Sequence, residues 1–255
     1  MKNKVTIITP VFNAAKTIKS NLESIKRQSY YNWEHIIIDN QSTDNSLKII
    51  KKNSNKKIKI ISERDNGIYD AINKGIKIAK GDIISILHAD DLYFSKHVLS
   101  CIVNKIKNHN VDIVFGNLVY VKKNNLQKKL RYWKSGNYKL GSFNKGWSPP
   151  HPSFFMKKKI YKKFGLYKTF HAADIELMYR MLEKHKVSNY YVNKVLIKMR
   201  YGGTSNKNLS QIARQNIQTL KFLKLDTLSK ILRFIYYKVI NRLAQLMNRN
   251  RVYDK

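Results

Sequence analysis

The amino-acid sequence predicts an α/β fold in which a parallel sheet carries helices on both of its faces. The first observation is an alternation, through residue 88, of short β-branched apolar runs with apolar residues at helical spacing. The second is the length of 255 residues, which suffices for one domain with a full core. The third is that no uncharged apolar stretch approaches about 18 residues, so we expect no transmembrane helix. Such a protein is soluble or rests on a surface.

The elements of the first third follow directly from this alternation. Residues 5–9 (VTIIT) form a β-branched run, and Ile18, Leu22 and Ile25 then recur at the spacing of one helix face. A start signal at 42–44 (STD) precedes the second helix. The predicted order is strand 5–9, helix 14–28, strand 33–39, helix 46–52, strand 58–62, helix 68–79 and strand 82–88.

Beyond Asp91 the alternation is less regular, and no internal repeat or low-complexity linker is present. The pattern predicts a helix at 95–108, a strand or hairpin arm at 111–121, a loop rich in Gly, Ser and Pro at 135–152, helices at 157–164 and 175–185, and a strand at 190–198.

The tail, from about residue 211, has a different composition. Apolar residues from Leu228 to Leu246 recur at steps of three and four, and Lys and Arg fill the positions between them. This pattern predicts a basic amphipathic helix or a pair of helices. Two interpretations stay open: the tail packs on the domain with a solvated basic face, or it lies on an anionic membrane leaflet.

The charge balance is strongly basic, since 50 Lys and Arg against 16 Asp and Glu give a net charge of +34. Such a field attracts polyanions: nucleic acid, anionic lipid or phosphorylated substrates. The excess is equally consistent with drift toward the Lys, Asn and Ile residues that AT-rich codons favour. Ten of the 16 acidic residues lie between Glu23 and Asp91, and none lies in 113–173. The acidic residues thus concentrate where the chemistry is expected.

Several classes of protein are excluded by missing motifs. The only cysteine is Cys101, which rules out a disulfide framework or a CxxC metal site and fits a reducing cytoplasm. The turn after the first strand reads PVFN rather than GxGxxG, and neither GxxxxGK(S/T) nor HExxH occurs. No cleavage site follows the first apolar run, so it reads as a buried strand and not as a signal peptide.

Asn and Asp residues follow four successive predicted strands, at Asn13, 39–40, 65–66 and 90–91. In open α/β sheets, ligands bind beyond the carboxyl ends of the strands. Asn and Asp also stabilise turns that have no function. Four strands that end in this way favour a binding site.

Three carboxylates have the properties of functional groups. Adjacent Asp90 and Asp91 repel each other unless a cation neutralises them, and hard oxygen ligands suit Mg²⁺ or Mn²⁺. The non-functional alternative is that an Asp here caps the predicted helix that follows. Asp174 ends the long stretch without acids, and it either provides favourable charge at a helix N-terminus or acts as a general base.

Together these segments resemble the family 2 glycosyltransferases, which have the GT-A fold. The resemblance covers roughly residues 4–205 and rests on several motifs in the expected order. The matching segments are 6–13 (TIITPVFN), 37–44 (IIDNQSTD), 62–75 (SERDNGIYDAINKG), 88–91 (HADD, at the place of a DxD-type metal motif), 151–155 (HPSFF) and 173–174 (AD).

The resemblance implies a mixed, mostly parallel central sheet flanked by helices, followed by the C-terminal amphipathic helical tail. The implied domain is 1–210, with a nucleotide-binding half at 1–92 and an acceptor-binding half at 93–210; the tail is 211–255. Two family features are missing: Ala173 replaces the acid that often precedes the base, and the QxxRW signature of processive synthases is absent. A single sugar addition is therefore expected.

The resemblance also assigns roles to residues. It implies that Asp39 contacts the nucleobase, Asp65 helps to hold the nucleotide, Asp91 coordinates Mn²⁺ or Mg²⁺, and Asp174 deprotonates the acceptor hydroxyl. His151 either binds a donor phosphate or the acceptor, or is a buried turn residue between two prolines. The implied donor-binding residues are Thr9, Pro10, Phe12, Asn13, Asp39, Asp65, Gly67, Asn73, Lys74 and Asp90, the last at the ribose or sugar.

The implied activity is inverting transfer of one hexosyl or N-acetylhexosaminyl unit from a nucleoside-diphosphate sugar, with UDP expected. A glycan acceptor on a polyprenyl pyrophosphate, as in O-antigen or capsule assembly, would give the basic tail a purpose. The protein would then be peripheral on the inner face of the cytoplasmic membrane.

One alternative is a basic nucleic-acid-binding protein, which the lack of helix-turn-helix, zinc and RNP-like motifs disfavours, so nucleic acid is not an expected partner. Another is a non-catalytic sugar-nucleotide-binding module. Oligomeric state leaves no signal in the sequence.

Overall fold

The computed structural model describes residues 3–202 and 209–247. The predicted domain boundary after residue 210 adjoins a segment, 203–208, that lies outside the described residues, as does the end of the predicted tail, 248–255.

Within the described residues, nine strands form one sheet. They are β1 (Val5–Val11), β2 (Trp33–Asp39), β3 (Ile58–Ser62), β4 (Ile83–Ile86), β5 (Leu92–Tyr93), β6 (Ile113–Lys122), β7 (Asn125–Trp133), β8 (Phe154–Lys157) and β9 (Asn189–Arg200). Their order is β3-β2-β1-β4-β8-β6-β9-β5, and β7 pairs with β6 at the side of this path.

Eight α-helices surround the sheet within the described residues. They are α1 (Ile18–Lys26), α2 (Ser46–Lys52), α3 (Ile68–Ile78), α4 (Val98–Asn108), α5 (Lys158–Phe164), α6 (Ala173–Tyr179), α7 (Leu209–Phe222) and α8 (Leu228–Met247). Short 3₁₀ turns lie at Phe143–Lys145 and His151–Ser153, and a π-helical turn at Arg180–Lys184 continues α6.

The four N-terminal strands pair in parallel, as the sequence predicts. β1 pairs with β2 and with β4, and β2 pairs with β3. All seven residues of β1 are buried, as expected for a central strand covered on both faces. Ile7 and Ile8 point to opposite faces and join different core clusters, because side chains alternate along a strand.

The second half of the sheet mixes directions. β8 runs antiparallel to both β4 and β6, β6 and β9 are parallel, and β5 and β7 are antiparallel to their neighbours. Six of the nine strands therefore point the same way, which confirms the mixed, mostly parallel sheet. The short β5 and β8 and the basic β7 were not predicted, because two- or four-residue strands and a run such as Gln127-Lys128-Lys129 carry no apolar alternation.

The tail folds as the helix pair α7 and α8. On α8, Phe234 is 3% exposed and joins the core cluster that also contains Ile72 of α3 and Leu177 of α6. Most other apolar side chains of α8 are exposed. No helix within the described residues is long and apolar enough to cross a membrane.

Candidate active site

A cleft of about 1160 Å³ opens at the carboxyl ends of β1, β4 and β9 and extends to α7 and α8. Eight of the predicted site residues line this cleft: Pro10, Phe12, Asn13, Asp65, Gly67, Asp90, His151 and Asp174. The other five are not among its lining residues: Thr9, Asp39, Asn73, Lys74 and Asp91.

The loop after β1 is fixed by Asn13, whose backbone adopts a left-handed conformation with φ of 49°. Its Oδ1 accepts hydrogen bonds from the backbone N–H groups of Thr43 (2.9 Å) and Asp44 (3.3 Å), and its own N–H donates to Ser42 Oγ at 3.0 Å. Asn13 therefore ties the loop after β1 to the loop after β2. The neighbouring Phe12 is 61% exposed at the cleft.

Asp39 is fully buried just behind this loop. Its carboxylate accepts hydrogen bonds from Ser42 Oγ (2.5 Å) and Ser62 Oγ (2.7 Å), which come from the loop after β2 and from the end of β3. Thr9 is likewise internal, since its Oγ1 lies 2.8 Å from Nε2 of buried His35. In this geometry Asp39 links the ends of β2 and β3, and Thr9 links β1 to β2.

Asp65 and Gly67 border the cleft before α3. The Asp65 carboxylate accepts a hydrogen bond from the Gly67 N–H at 2.8 Å, and burial raises the pKa of Asp65 above its usual value. Gly67 has a φ of 107°, which favours glycine.

Asn73 and Lys74 of α3 make structural contacts outside the cleft. Asn73 forms two hydrogen bonds with the backbone of Tyr167, at 2.8 and 3.0 Å. Lys74 Nζ donates to the Arg64 carbonyl oxygen at 2.7 Å and pairs with Glu63 at 2.9 Å. These contacts anchor neighbouring loops, and a donor-binding role for either residue stays a prediction.

The adjacent carboxylates after β4 differ in their surroundings. Asp90 lines the cleft, whereas Asp91 is fully buried and both of its carboxylate oxygens lack hydrogen-bond partners within the described chain. Burial, followed by the charge of Asp90, raises the pKa of Asp91 well above its usual value. The geometry therefore exposes Asp90 rather than Asp91 to the cleft, whereas the resemblance implies that Asp91 binds the metal.

A positively charged side chain that the sequence did not reveal, that of Arg200, lies beside Asp90 and Asp91. Arg200, at the end of β9, donates to the Asp90 carbonyl oxygen and to Ser20 Oγ at 2.8 Å. Its guanidinium charge opposes the rise in the pKa of Asp91. The sequence indicated that Asp90 and Asp91 need a neutralising cation, but only the pairing of β9 with β5 and β6 brings residue 200 to them.

The side-chain oxygen and nitrogen atoms near Asp90 suit a divalent metal ion that is also coordinated by a bound substrate. Within residues 3–202 and 209–247, no group of three or more His, Cys, Asp or Glu residues is arranged to hold a metal by itself. The cleft offers Asp90 and His88, and the unpartnered oxygens of Asp91 lie behind them. Mg²⁺ usually binds through one or two carboxylates plus substrate phosphates, so this set fits a diphosphate-bridged ion.

Asp174 lies in the first turn of α6 and also lines the cleft. Its Oδ1 accepts a hydrogen bond from the Tyr69 hydroxyl at 2.9 Å, and the Tyr69 ring stacks on Tyr167 with centroids 5.8 Å apart. Burial and then the Asp174 charge raise the pKa of Tyr69 well above its usual value, so Tyr69 remains a donor. The sequence reasoning missed Tyr69, although it lies inside the recognised 62–75 segment.

His151 is both buried and at the cleft, so a binding role and a role as a buried turn residue stay open as predictions. It is buried, 7% exposed, yet it contributes to the cleft lining. Its Nε2 lies 2.8 Å from the Tyr167 hydroxyl, and its ring centroid is 5.7 Å from that of His88. Burial lowers the pKa of His151 to about 4, so the imidazole is neutral at pH 7.

The fold and this cleft agree with a recognised family of proteins. The sequence matches Glycosyl transferase family 2 over residues 6–165. The match covers more than half of the chain, and the chain therefore belongs to this family of glycosyltransferases. The family resemblance is confirmed.

Two groups of relatives illustrate the likeness. The chain is 32% identical over 126 residues to UDP-Glc:alpha-D-GlcNAc-diphosphoundecaprenol beta-1,3-glucosyltransferase WfgD of Escherichia coli, a match that spans 49% of this chain and 49% of WfgD. It is 26% identical over 208 residues to a PGL/p-HBAD biosynthesis glycosyltransferase of Mycobacterium tuberculosis, covering 79% of this chain and 78% of the relative.

Solved structures share the fold. Mannosyltransferase PcManGT from Pyrobaculum calidifontis, in complex with GDP-Man and Mn²⁺, superposes with a TM-score of 0.66 at 18% identity, covering 100% of this chain and 77% of its own. S. aureus TarS gives 0.62 at 17% identity, covering 99% of this chain and 44% of TarS. At these identities the likeness shows the fold alone, and it confirms the expected GT-A architecture.

Proposed function

We propose that this protein is an inverting, metal-dependent transferase that moves one sugar from a UDP-sugar to a glycan carried on a polyprenyl pyrophosphate. One observation carries the proposal: Asp90 and Asp174 come from opposite halves of the chain and line the same cleft. This arrangement provides a carboxylate for the donor and another for the acceptor.

The donor side is formed by the loops after the parallel strands. Asn13, Asp65 and Gly67 border the space in which we place the nucleotide. Asp90 lines the same space, and we propose its carboxylate as the ligand of a divalent ion. When bound, Mn²⁺ or Mg²⁺ offsets the negative charge that develops on the leaving diphosphate. Asp39 supports this side through Ser42 and Ser62, and its contact with the nucleobase remains a prediction from the resemblance.

On the acceptor side, Asp174 is the proposed base. Its Oδ1 is occupied by the Tyr69 hydroxyl, which leaves the second oxygen to take the proton of an acceptor hydroxyl. The acceptor oxygen then forms a bond to the anomeric carbon while the bond from that carbon to the diphosphate breaks. Attack opposite the leaving group inverts the configuration.

The surface of helix α8 favours the proposal that the acceptor is lipid-linked and that the protein lies on the membrane surface. Leu232, Val239 and Leu243 are each more than half exposed and recur at helical spacing. Lys230, Arg233, Lys238 and Arg242 lie on the same helix, so it combines an apolar stripe with basic side chains as interfacial helices do. The acceptor named for WfgD, a diphosphoundecaprenol glycan, has the matching chemistry. We therefore place the protein at the inner leaflet, in O-antigen or capsule assembly.

The test is calorimetric titration with UDP, GDP and dTDP, each with and without Mn²⁺, followed by sugar transfer from UDP-glucose and UDP-N-acetylglucosamine. We expect Mn²⁺-dependent binding of UDP and release of UDP when a lipid-pyrophosphate glycan is added. Binding of no nucleotide under any condition would remove the transferase proposal. Binding without turnover toward any acceptor would instead identify a non-catalytic sugar-nucleotide module.

A further inference from the structure

Arg131 of β7 is a buried cation with unused donors. It is 2% exposed, and its Nε and Nη1 have no hydrogen-bond partner among the described residues. The side chain contributes to the cleft lining. A buried guanidinium that lacks partners is costly, so its unpaired donors call for a partner such as ordered water or an anion.

The guanidinium of Arg131 is held in a defined place by aromatic rings. Its Cζ lies 3.9 Å from the centroid of Tyr120 and 5.3 Å from that of Trp133. Cation–π contacts orient the planar group without using its N–H donors. The guanidinium of Arg131 is therefore held in place, while its Nε and Nη1 donors remain available to an anion.

More positive charge borders the same end of the cleft. Arg242 and Lys238 of α8 and Lys123 of the β6–β7 turn all contribute to the lining. Arg242 lies close enough to Tyr120 for its charge to oppose the rise in the pKa of that buried phenol. The hairpin itself has no carboxylate, since no Asp or Glu occurs in residues 113–173.

The apolar side chains beside these cations suit a lipid. Ile235 and Val239 of α8 border the cleft and are 49% and 53% exposed. They continue the exposed apolar stripe of the helix away from the cleft. An anion at Arg131 would thus have apolar surface on one side and the proposed base Asp174 in the same cavity.

We propose that Arg131 and Arg242 form an anion site that binds the phosphate groups of a lipid-linked acceptor. This inference rests on the proposed function, because it assigns that acceptor a place in the cleft. The site belongs to β7 and α8, whereas the loops proposed for the donor follow β1, β2 and β4. A donor diphosphate is the competing source of the same chemistry, and the test separates the two.

The experiment is calorimetric titration of inorganic pyrophosphate into protein saturated with UDP and Mg²⁺, with UDP titrated separately. We expect wild-type protein to bind pyrophosphate while UDP is bound. In Arg131→Met, pyrophosphate affinity should fall at least about tenfold, the scale of hydrogen bonds to a charged group, with UDP affinity within about twofold of wild type. Arg242→Gln, at an exposed position, should weaken pyrophosphate binding by several-fold and carries the test if Arg131→Met does not fold.

The matched control is Arg233→Gln. Arg233 is exposed on the same helix but does not contribute to the cleft lining, so the same loss of charge should leave pyrophosphate binding unchanged. Unaltered pyrophosphate binding in both test variants would overturn the inference, and so would an equal loss of UDP binding, which would assign Arg131 to the donor. If pyrophosphate binding depends on Arg131 but UDP never binds, the anion site stands and the proposed function fails.

Discussion

The cleft has an acidic side and a basic side that are built in different ways. The acidic side comes from the loops after β1, β2 and β4, where Asp39 and Asn13 are tied into hydrogen bonds between neighbouring loops. The basic side comes from the hairpin β6–β7 and from α8, where Arg131 is buried with unpaired donors and Arg242 is exposed at the cleft. The loops of the acidic side are held together by their own polar groups, with the unpartnered oxygens of buried Asp91 as the exception, whereas Arg131 on the basic side keeps unpaired donors.

This difference separates groups that shape the site by themselves from groups left without a protein partner. A carboxylate such as Asp39, satisfied by two serine hydroxyls, contributes to the shape of the site without a substrate. The unpaired donors of the Arg131 guanidinium are instead available to an anion. We therefore expect variants on the acidic side to alter donor binding or chemistry, and variants on the basic side to alter the acceptor.

The largest effect is expected at Asp174, where the two sides meet. Asp174→Asn removes the proposed base while keeping the acceptor atom for Tyr69, so kcat should fall by about 10²–10⁴-fold, the usual range for general bases. The dissociation constant of UDP should stay within about twofold, because the nucleotide loops are unchanged. Initial rates and calorimetry on the same preparation give both numbers.

Asp112→Asn is the matched control for Asp174→Asn. Asp112 pairs with Lys157 and Lys159 and is not among the residues that line the cleft, so this variant should retain wild-type kcat. An Asp174→Asn enzyme that keeps more than a tenth of wild-type kcat would show that another group takes the proton.

The next largest effect is on Mn²⁺-dependent UDP binding, and it should differ between variants of Asp90 and Asp91. Asp90 faces the cleft and Asp91 is buried, so Asp90→Asn should weaken Mn²⁺-dependent UDP binding by at least about tenfold, as expected when a metal ligand is lost. Asp91→Asn replaces a buried carboxylate by a neutral group of the same shape and should change that affinity much less. Treatment of wild-type protein with EDTA should reproduce the Asp90→Asn result. The reverse ranking of the two variants would favour the assignment implied by the resemblance.

The same contrast explains what the sequence could predict. Asp39 is the last residue of β2, and Asp65 and Asp90 lie in the loops after β3 and β4; parallel strands bring their carboxyl ends to one edge, so local patterns were enough to group them. The direction in which Asp90 and Asp91 point was not predictable, because adjacent residues have the same pattern and only packing distinguishes them.

The contacts that join distant parts of the chain in the cleft could not be read from local patterns. Arg200 reaches Asp90 across 110 positions, and Tyr69 reaches Asp174 across 105. Arg131 lies on a strand with a mostly polar sequence, and only the pairing with β6 turns it toward the interior. Contacts of this kind depend on long-range topology, which a single sequence does not encode in any motif.

A smaller effect tests the surface of α8. Leu232 and Leu243 are 56% and 53% exposed and do not contribute to the cleft lining. The double variant Leu232→Asn with Leu243→Asn should lower binding to vesicles of phosphatidylglycerol and phosphatidylethanolamine about tenfold, through lost apolar burial. Sedimentation with vesicles measures this loss. Leu140→Asn, at a 73% exposed position outside α8, is the control. Equal binding by all three proteins would favour the interpretation of α8 as a solvated helix.

The smallest effect is expected for Tyr69→Phe, which keeps the ring that stacks on Tyr167 and removes the hydroxyl that donates to Asp174. Asp174 is half-buried, so water can replace the lost donor, and a replaceable hydrogen bond is worth about 1 kcal/mol; kcat should therefore fall about fivefold. The KM for the sugar donor should stay unchanged, because the loops proposed for the nucleotide are intact. Tyr30→Phe, whose hydroxyl donates to the Asn3 carbonyl oxygen away from the cleft, should leave both constants unchanged. An unchanged kcat in Tyr69→Phe would mean that Asp174 holds its position without this donor.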